Sequence, residues 1–145
     1  MSTFCWPARV YWEDTDGGGV VYYANYLRFL ERARTEWLRA HGHSQQELAR
    51  TGGLLFTVVS LRVDYRAPAR LDDELLISCE PQAEGAASLR FLQRIYRAGP
   101  AVARSHALLV EANVRVACVD GRTLRPRRLP EFLLEALAAE VAKHG

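Results

Sequence analysis

Glu13-Asp14-Thr15-Asp16-Gly17-Gly18-Gly19-Val20-Val21-Tyr22-Tyr23-Ala24-Asn25-Tyr26 joins a strand-like segment ending near Glu13 to a helix-like segment starting near Ala24. Three adjacent glycines give up side-chain packing and cost backbone entropy on folding. A chain that keeps them needs positive φ, or close approach of its backbone to something bound. A helix start just beyond offers open N–H groups and a partial positive charge, which suit a polarised carbonyl. A carboxylate is thereby set beside an electrophile-activating helix end. The same residues also read as an acidic turn whose aspartates face water.

Outward from this junction, Arg9 to Glu13 is short, aromatic and β-branched, and predicts a first strand with Val10 and Trp12 on one face. On the other side, Ala24 to His41 carries Tyr26, Leu30, Ala33 and Trp37 at helical spacing, with Leu27 and Leu38 widening the stripe and Gly42 as the stop. At the helical rise this element is about 27 Å long, enough to cross a small domain. Ser44 to Arg50 predicts a short second helix. The period then changes to two: Val59, Leu61, Val63 and Tyr65 alternate with polar residues. Further strands are expected over Leu75–Glu84, Ser88–Arg97 and Ala101–Asp120, separated by turns at Gly85 and Gly99-Pro100. Pro130 to Lys143 predicts a closing helix with Phe132, Leu133, Leu137 and Val141 as its apolar stripe. The order of elements predicts an α+β domain, an antiparallel sheet curved around one buried helix.

The chain of 145 residues, 49% hydrophobic and 25% charged, fits one globular domain over 1–145. A net charge of +2 is too small to argue for nucleic acid, although Arg122, Arg125, Arg127 and Arg128 form a local basic cluster. Cys5, Cys79 and Cys118 have no paired spacing for zinc or a redox couple, which fits a reducing compartment. The first nine residues lack a basic start followed by an apolar run, so the expectation is a cytoplasmic protein with no secretory signal and no transmembrane segment.

Other chemistries fail on position. With Asp14 as the first residue of a calcium loop, the fifth is Gly18 and the twelfth Asn25, where oxygen donors including a glutamate are required. With Gly17 and Gly19 as the first pair of a dinucleotide fingerprint, the last glycine position holds Tyr22. His41 and His43 read as a solvated pair. Ser105 and His106, adjacent in a strand, would face opposite sides and cannot act as nucleophile and base. What survives is an aspartate that can attack an acyl group or activate water, while helix amides hold the developing oxyanion. Thioesters suit this equipment because they are electrophilic and release a good leaving group.

The run 13–22, Ala24-Asn25-Tyr26 and Glu31-Arg32-Ala33-Arg34-Thr35-Glu36-Trp37-Leu38-Arg39 resemble the 4-hydroxybenzoyl-CoA thioesterase-like hotdog proteins. Within them, the likeness is greatest to the acyl-CoA thioesterase group associated with the bacterial Tol-Pal cluster. Asp64 to Asp73, Phe91-x-Gln93-Arg94 and Val116 to Asp120 agree, so the likeness covers about residues 8 to 130, followed by the C-terminal helix. The resemblance implies a five-stranded antiparallel sheet wrapped around a long helix. It also implies dimers or dimers of dimers joined sheet to sheet, with sites at the subunit interface. By position it assigns the catalytic carboxylate to Asp16 and the polarising backbone N–H to Tyr23, and leaves Asp14 as a supporting acid. It implies that Gly18, Gly19 and Val20 admit substrate to the backbone, and that Asn25 and Tyr26 shape or cap the first helical turn. Thr57, Val59 and Ser60 are candidate pocket walls. Many relatives carry histidine at the position of Tyr23, and tyrosine occurs there in the hydroxybenzoyl branch. The stretch matching that branch's CoA-phosphate cluster, Ala86-Ala87-Ser88-Leu89, is not basic, so Ser88, Arg90 or the 122–128 segment must serve instead. The implied activity is hydrolysis of acyl-CoA without metal or redox cofactor. The alternatives are a non-catalytic hotdog that binds an acyl carrier protein or a cell-envelope partner, and a hydratase or dehydratase, which usually needs a histidine absent from the key motif.

Overall fold

The computed structural model describes residues 3–99 and 107–144. The strands are β1 (Phe4–Arg9), β2 (Leu54–Tyr65), β3 (Glu74–Ala83), β4 (Ser88–Arg97) and β5 (Ala107–Asp120). The helices are α1 (Tyr26–Ala40), α2 (Gln45–Gly52) and α3 (Glu131–His144). All five strands form one antiparallel sheet in the order β1-β3-β4-β5-β2. The expected residues 101–106 of the last strand, with Ser105 and His106, lie outside the described residues.

The inward residues of the central strands close over α1. Leu75, Ile77 and Cys79 from β3, Leu89, Phe91 and Ile95 from β4, and Ala112, Val114, Val116 and Cys118 from β5 are buried together with Tyr26, Phe29, Leu30, Ala33, Trp37 and Leu38. Burial of each large side chain is worth about 1.5–3 kcal/mol, so this one helix face carries much of the folding drive. Helix α1 stops where Gly42, at φ +90, allows His43 N–H to reach back to the Leu38 carbonyl. Ser44 caps α2 by accepting from Glu47 N–H. Helix α3 covers the far end of the core with Leu133, Ala136 and Leu137, and the buried Glu140 accepts from Trp37 Nε1 at 3.0 Å.

Several expectations change. The first strand lies earlier than Arg9–Glu13: β1 ends at Arg9, and Trp12–Asp14 is a 3-10 turn. The chain turns there because Asp14 N–H bonds the Tyr11 carbonyl while Asp14 Oδ2 accepts from Tyr11 N–H at 2.8 Å. Val10 is then buried, and Trp12 stands out at 72% exposure. Leu27 faces outward, while Phe29 joins the core. Val141 lies on the open side of α3. His41 and His43 are half-buried rather than a solvated pair: the His41 ring packs on Trp37, 3.8 Å from Glu140, and the His43 ring stacks on Phe132. In β2 the period-two face carries Val59, Leu61 and Tyr65 into the open, because β2 is the sheet edge and no described element covers it.

Candidate functional site

The site grows from the 3-10 turn that replaces the end of the first strand. Asp14 is 6% exposed, and its Oδ1 accepts from Asn25 Nδ2 at 2.9 Å. Its carbonyl accepts from Tyr22 N–H at 3.0 Å, so one residue ties both ends of the glycine turn together. Asn25 stands at the N-cap position of α1, but its side chain makes no capping bond; its amide holds Asp14. Tyr26 opens α1, and its buried hydroxyl accepts from Ala69 N–H at 2.9 Å. Burial raises the Tyr26 phenol above its ordinary range, which keeps it neutral.

Between these fixed ends the turn is open. Asp16 is exposed, and its Oδ1 accepts from Gly18 N–H at 2.8 Å. The Asp16 backbone N–H bonds the Val20 carbonyl, and the Gly19 carbonyl accepts from Leu71 N–H, so Gly19 and Val20 also hold the loop on the sheet. Gly19 has φ +85, a conformation that a side chain would strain. A Cβ on Gly18 would lie 3.2 Å from Asp16 Oδ1, so Gly18 clears the space around the carboxylate.

Asp16 borders a depression of about 490 Å³ lined also by Glu13, Thr15, Tyr22, Ala24, Asn25 and Arg28. A second 3-10 turn, Tyr23–Asn25, leads into α1. Its closing bond runs from Asn25 N–H to the Tyr22 carbonyl at 2.8 Å, so the preceding amides of Tyr23 and Ala24 have no acceptor within the turn. Tyr65, from the end of β2, donates its hydroxyl to the Tyr23 carbonyl at 3.0 Å. Burial, then the neighbouring Tyr23 and Tyr26, push the Tyr65 phenol upward, so it remains a hydrogen donor near neutrality.

The other candidates lie elsewhere in the same chain. Arg97 at the end of β4 bonds Asp73 beside the glycine turn, and Ser88 stands nine strand residues away, about 30 Å. Arg90 is already paired with Glu84 through both Nε and Nη2. Val59 and Ser60 are exposed at a bulge in β2, with Ser60 about 17 Å along the strand from Tyr65. Thus Asp16, Gly18, Ala24, Asn25 and Tyr23 assemble in one chain, and Val59, Ser60, Ser88 and Arg90 do not join them there. Sequence reasoning missed Tyr65, Arg28 and the Ala24 amide. The aromatic end of the β2 pattern is the only local signal for the first. Among the described residues, no group of three or more His, Cys, Asp or Glu side chains is placed to hold a metal, and the three cysteines are free. No helix of the described residues is long and apolar enough to cross a membrane.

A helix wrapped by a five-stranded antiparallel sheet, with an open carboxylate at the helix mouth, defines a hotdog-type domain. The thioesterase superfamily model matches residues 18–104, and the chain belongs to that family. It is 50% identical over 131 residues to the acyl-CoA thioester hydrolase YbgC of Escherichia coli O157:H7, covering 90% of this chain and 92% of the relative. Among solved structures, Slr0204, a 1,4-dihydroxy-2-naphthoyl-CoA thioesterase from Synechocystis, aligns with TM-score 0.84 at 28% identity, over 94% of this chain and 96% of its own. A 4-hydroxybenzoyl-CoA thioesterase variant bound to 4-hydroxybenzoyl-CoA aligns with TM-score 0.84 at 21% identity, over 94% and 99%, a likeness of fold alone.

Proposed function

We propose that the chain hydrolyses acyl-CoA thioesters to a free carboxylic acid and CoA, with Asp16 as the reacting carboxylate. The observation that carries this reading is that the exposed Asp16 carboxylate and Ala24, at the mouth of α1, line one depression, where the 3-10 turn leaves the amides of Tyr23 and Ala24 open. In the nucleophilic route, an Asp16 oxygen attacks the thioester carbon and CoA leaves as its thiolate. Water then opens the mixed anhydride, releasing the acid and restoring Asp16. In the general-base route, Asp16 takes a proton from water as that water attacks the carbon, and collapse of the tetrahedral adduct expels the thiolate. In both, charge gathers on the former carbonyl oxygen, where the Tyr23 amide and the positive end of α1 are most stabilising. Neither route draws on a metal or redox cofactor.

The remaining pocket residues come from a second copy. Strand β2 leaves Val58, Val59, Leu61 and Tyr65 exposed along an unpaired edge. Antiparallel pairing of two such edges about the strand centre runs residues 54–59 of one copy beside residues 60–65 of the other. Across the sheet Thr57, Ala117 and Ser88 share one row, and Ser60, Arg115 and Arg90 another, so those rows move toward the neighbouring Asp16. This supports a homodimer, or a dimer of dimers, as the active form.

The test is Asp16→Asn, screened on short, long and aromatic acyl-CoAs. Hydrolysis should drop by about a thousandfold or more, with the oligomer intact, because size is kept and the reactive charge is lost. Parental rates in that variant would remove Asp16 from the mechanism. No turnover by the unaltered protein, together with a stably copurifying acyl carrier protein, would favour the non-catalytic alternative.

A further inference from the structure

Two peptide units at the mouth of α1 carry N–H groups that the 3-10 turn leaves open, and each has its carbonyl engaged on the opposite side. The unit ending in Tyr23 N–H begins with the Tyr22 carbonyl, which accepts from Asn25 N–H at 2.8 Å. The unit ending in Ala24 N–H begins with the Tyr23 carbonyl, which accepts from the Tyr65 hydroxyl at 3.0 Å. A carbonyl that accepts a hydrogen bond polarises its peptide unit, so the N–H of the same unit becomes the better donor. The first bond is local to the turn. The second arrives from β2, 42 residues away in sequence.

The Tyr65 ring is held where this bond needs it. It meets the Tyr23 ring edge-on, with centroids 6.4 Å apart and planes at 84°, and lies 5.5 Å from the Tyr26 ring. Tyr26 is in turn anchored by its bond to Ala69 N–H. Three tyrosines from the 3-10 turn, α1 and β2 therefore form one group of ring contacts, and it bonds the turn backbone at the Tyr23 carbonyl. A residue whose task was only to cover the edge of the sheet would serve equally well as phenylalanine.

We infer that Tyr65 is a positioning residue for thioester hydrolysis: its hydroxyl orients and polarises the Tyr23–Ala24 peptide so that the open amides of the helix mouth bear on the thioester carbonyl oxygen. This rests on the function proposed above, in that those amides hold that oxygen.

Tyr65→Phe removes the hydroxyl and keeps the ring. kcat for benzoyl-CoA or butyryl-CoA should fall about tenfold, the scale of one neutral hydrogen bond, with KM changed by less than about twofold. The direct readout is vibrational. In an Asp16→Asn background, which keeps the thioester whole, 13C-carbonyl benzoyl-CoA should show its C=O stretch lowered on binding, and adding Tyr65→Phe should reverse part of that lowering. Tyr65→Leu, which also loses the ring contacts, should be worse in kcat and in thermal stability. An unchanged kcat and carbonyl frequency in a folded Tyr65→Phe protein would overturn the assignment, as would a rise confined to KM. The two readings fail separately. Asp16→Asn at parental rates removes the carboxylate but leaves the kcat loss of Tyr65→Phe in the otherwise unaltered protein as evidence for Tyr65, whereas a missing Tyr65 effect leaves Asp16 untouched. If the unaltered protein neither binds nor hydrolyses either thioester, both fall together.

Discussion

Asp14 and Asp16 stand two residues apart on one turn, yet one belongs to the frame and the other to the opening. Asp14 is buried, and its two carboxylate oxygens are taken by Tyr11 N–H and Asn25 Nδ2. Asp16 is exposed, and among the described residues only Gly18 N–H, within its own loop, is bonded to its side chain. A buried carboxylate whose lone pairs are engaged holds a fold together and has nothing left to offer a substrate. An open one beside unsatisfied amides is free to react. The difference between these neighbours is made by the chain turning at Trp12–Asp14, which sends one side chain under the loop and leaves the other above it.

Substitutions can break that division of labour or sharpen it. Asp16→Asn should give the largest effect on activity, about a thousandfold or more in kcat, with the thermal midpoint moved by no more than a few degrees. Asp14→Ala should reverse the pattern. Stability should drop by about 2–3 kcal/mol in urea unfolding, since a buried donor and a part-buried one lose their acceptor, and activity should fall as a consequence of the displaced loop. If Asp14→Ala proved as stable as the parent, the framing role would be lost. Gly19→Ala should cost about 1 kcal/mol through its positive φ, read in the same urea titration. Gly18→Ala has no such backbone penalty; it crowds Asp16 Oδ1 and should lower kcat by about threefold to tenfold, with stability unchanged. Trp12→Ala should be nearly silent, within about 0.5 kcal/mol, because the ring stands in the open.

The same contrast explains what can be read from sequence. Helix α1 announces itself because Tyr26, Leu30, Ala33 and Trp37 recur on one face, and every one of them is buried. Strands β3 and β4 are equally legible from their length and their turns at Gly85 and Gly99. The acidic turn is harder. Val10 to Glu13 has strand composition, and only the capture of Asp14 by Tyr11 and Asn25 converts it to a 3-10 turn. The alternation in β2 is real, but whether the side with Val59 and Leu61 is covered depends on what lies beyond the edge, which no period reveals. The bond from Tyr65 to the Tyr23 carbonyl is a meeting of distant segments, visible only once the sheet has curled round the helix.

Gln93 has a consequence for how such a molecule can diversify. The residue is 1% exposed, and its carboxamide donates to the Leu30 carbonyl in the second turn of α1 and to the Ser78 carbonyl on β3, and accepts from Arg34. Sliding α1 along its axis by even part of a turn would strand that amide in an apolar interior. The helix behaves as a fixed rail, and descendants that come to favour bulkier or longer acyl groups must remodel the surrounding walls and leave the rail where it is.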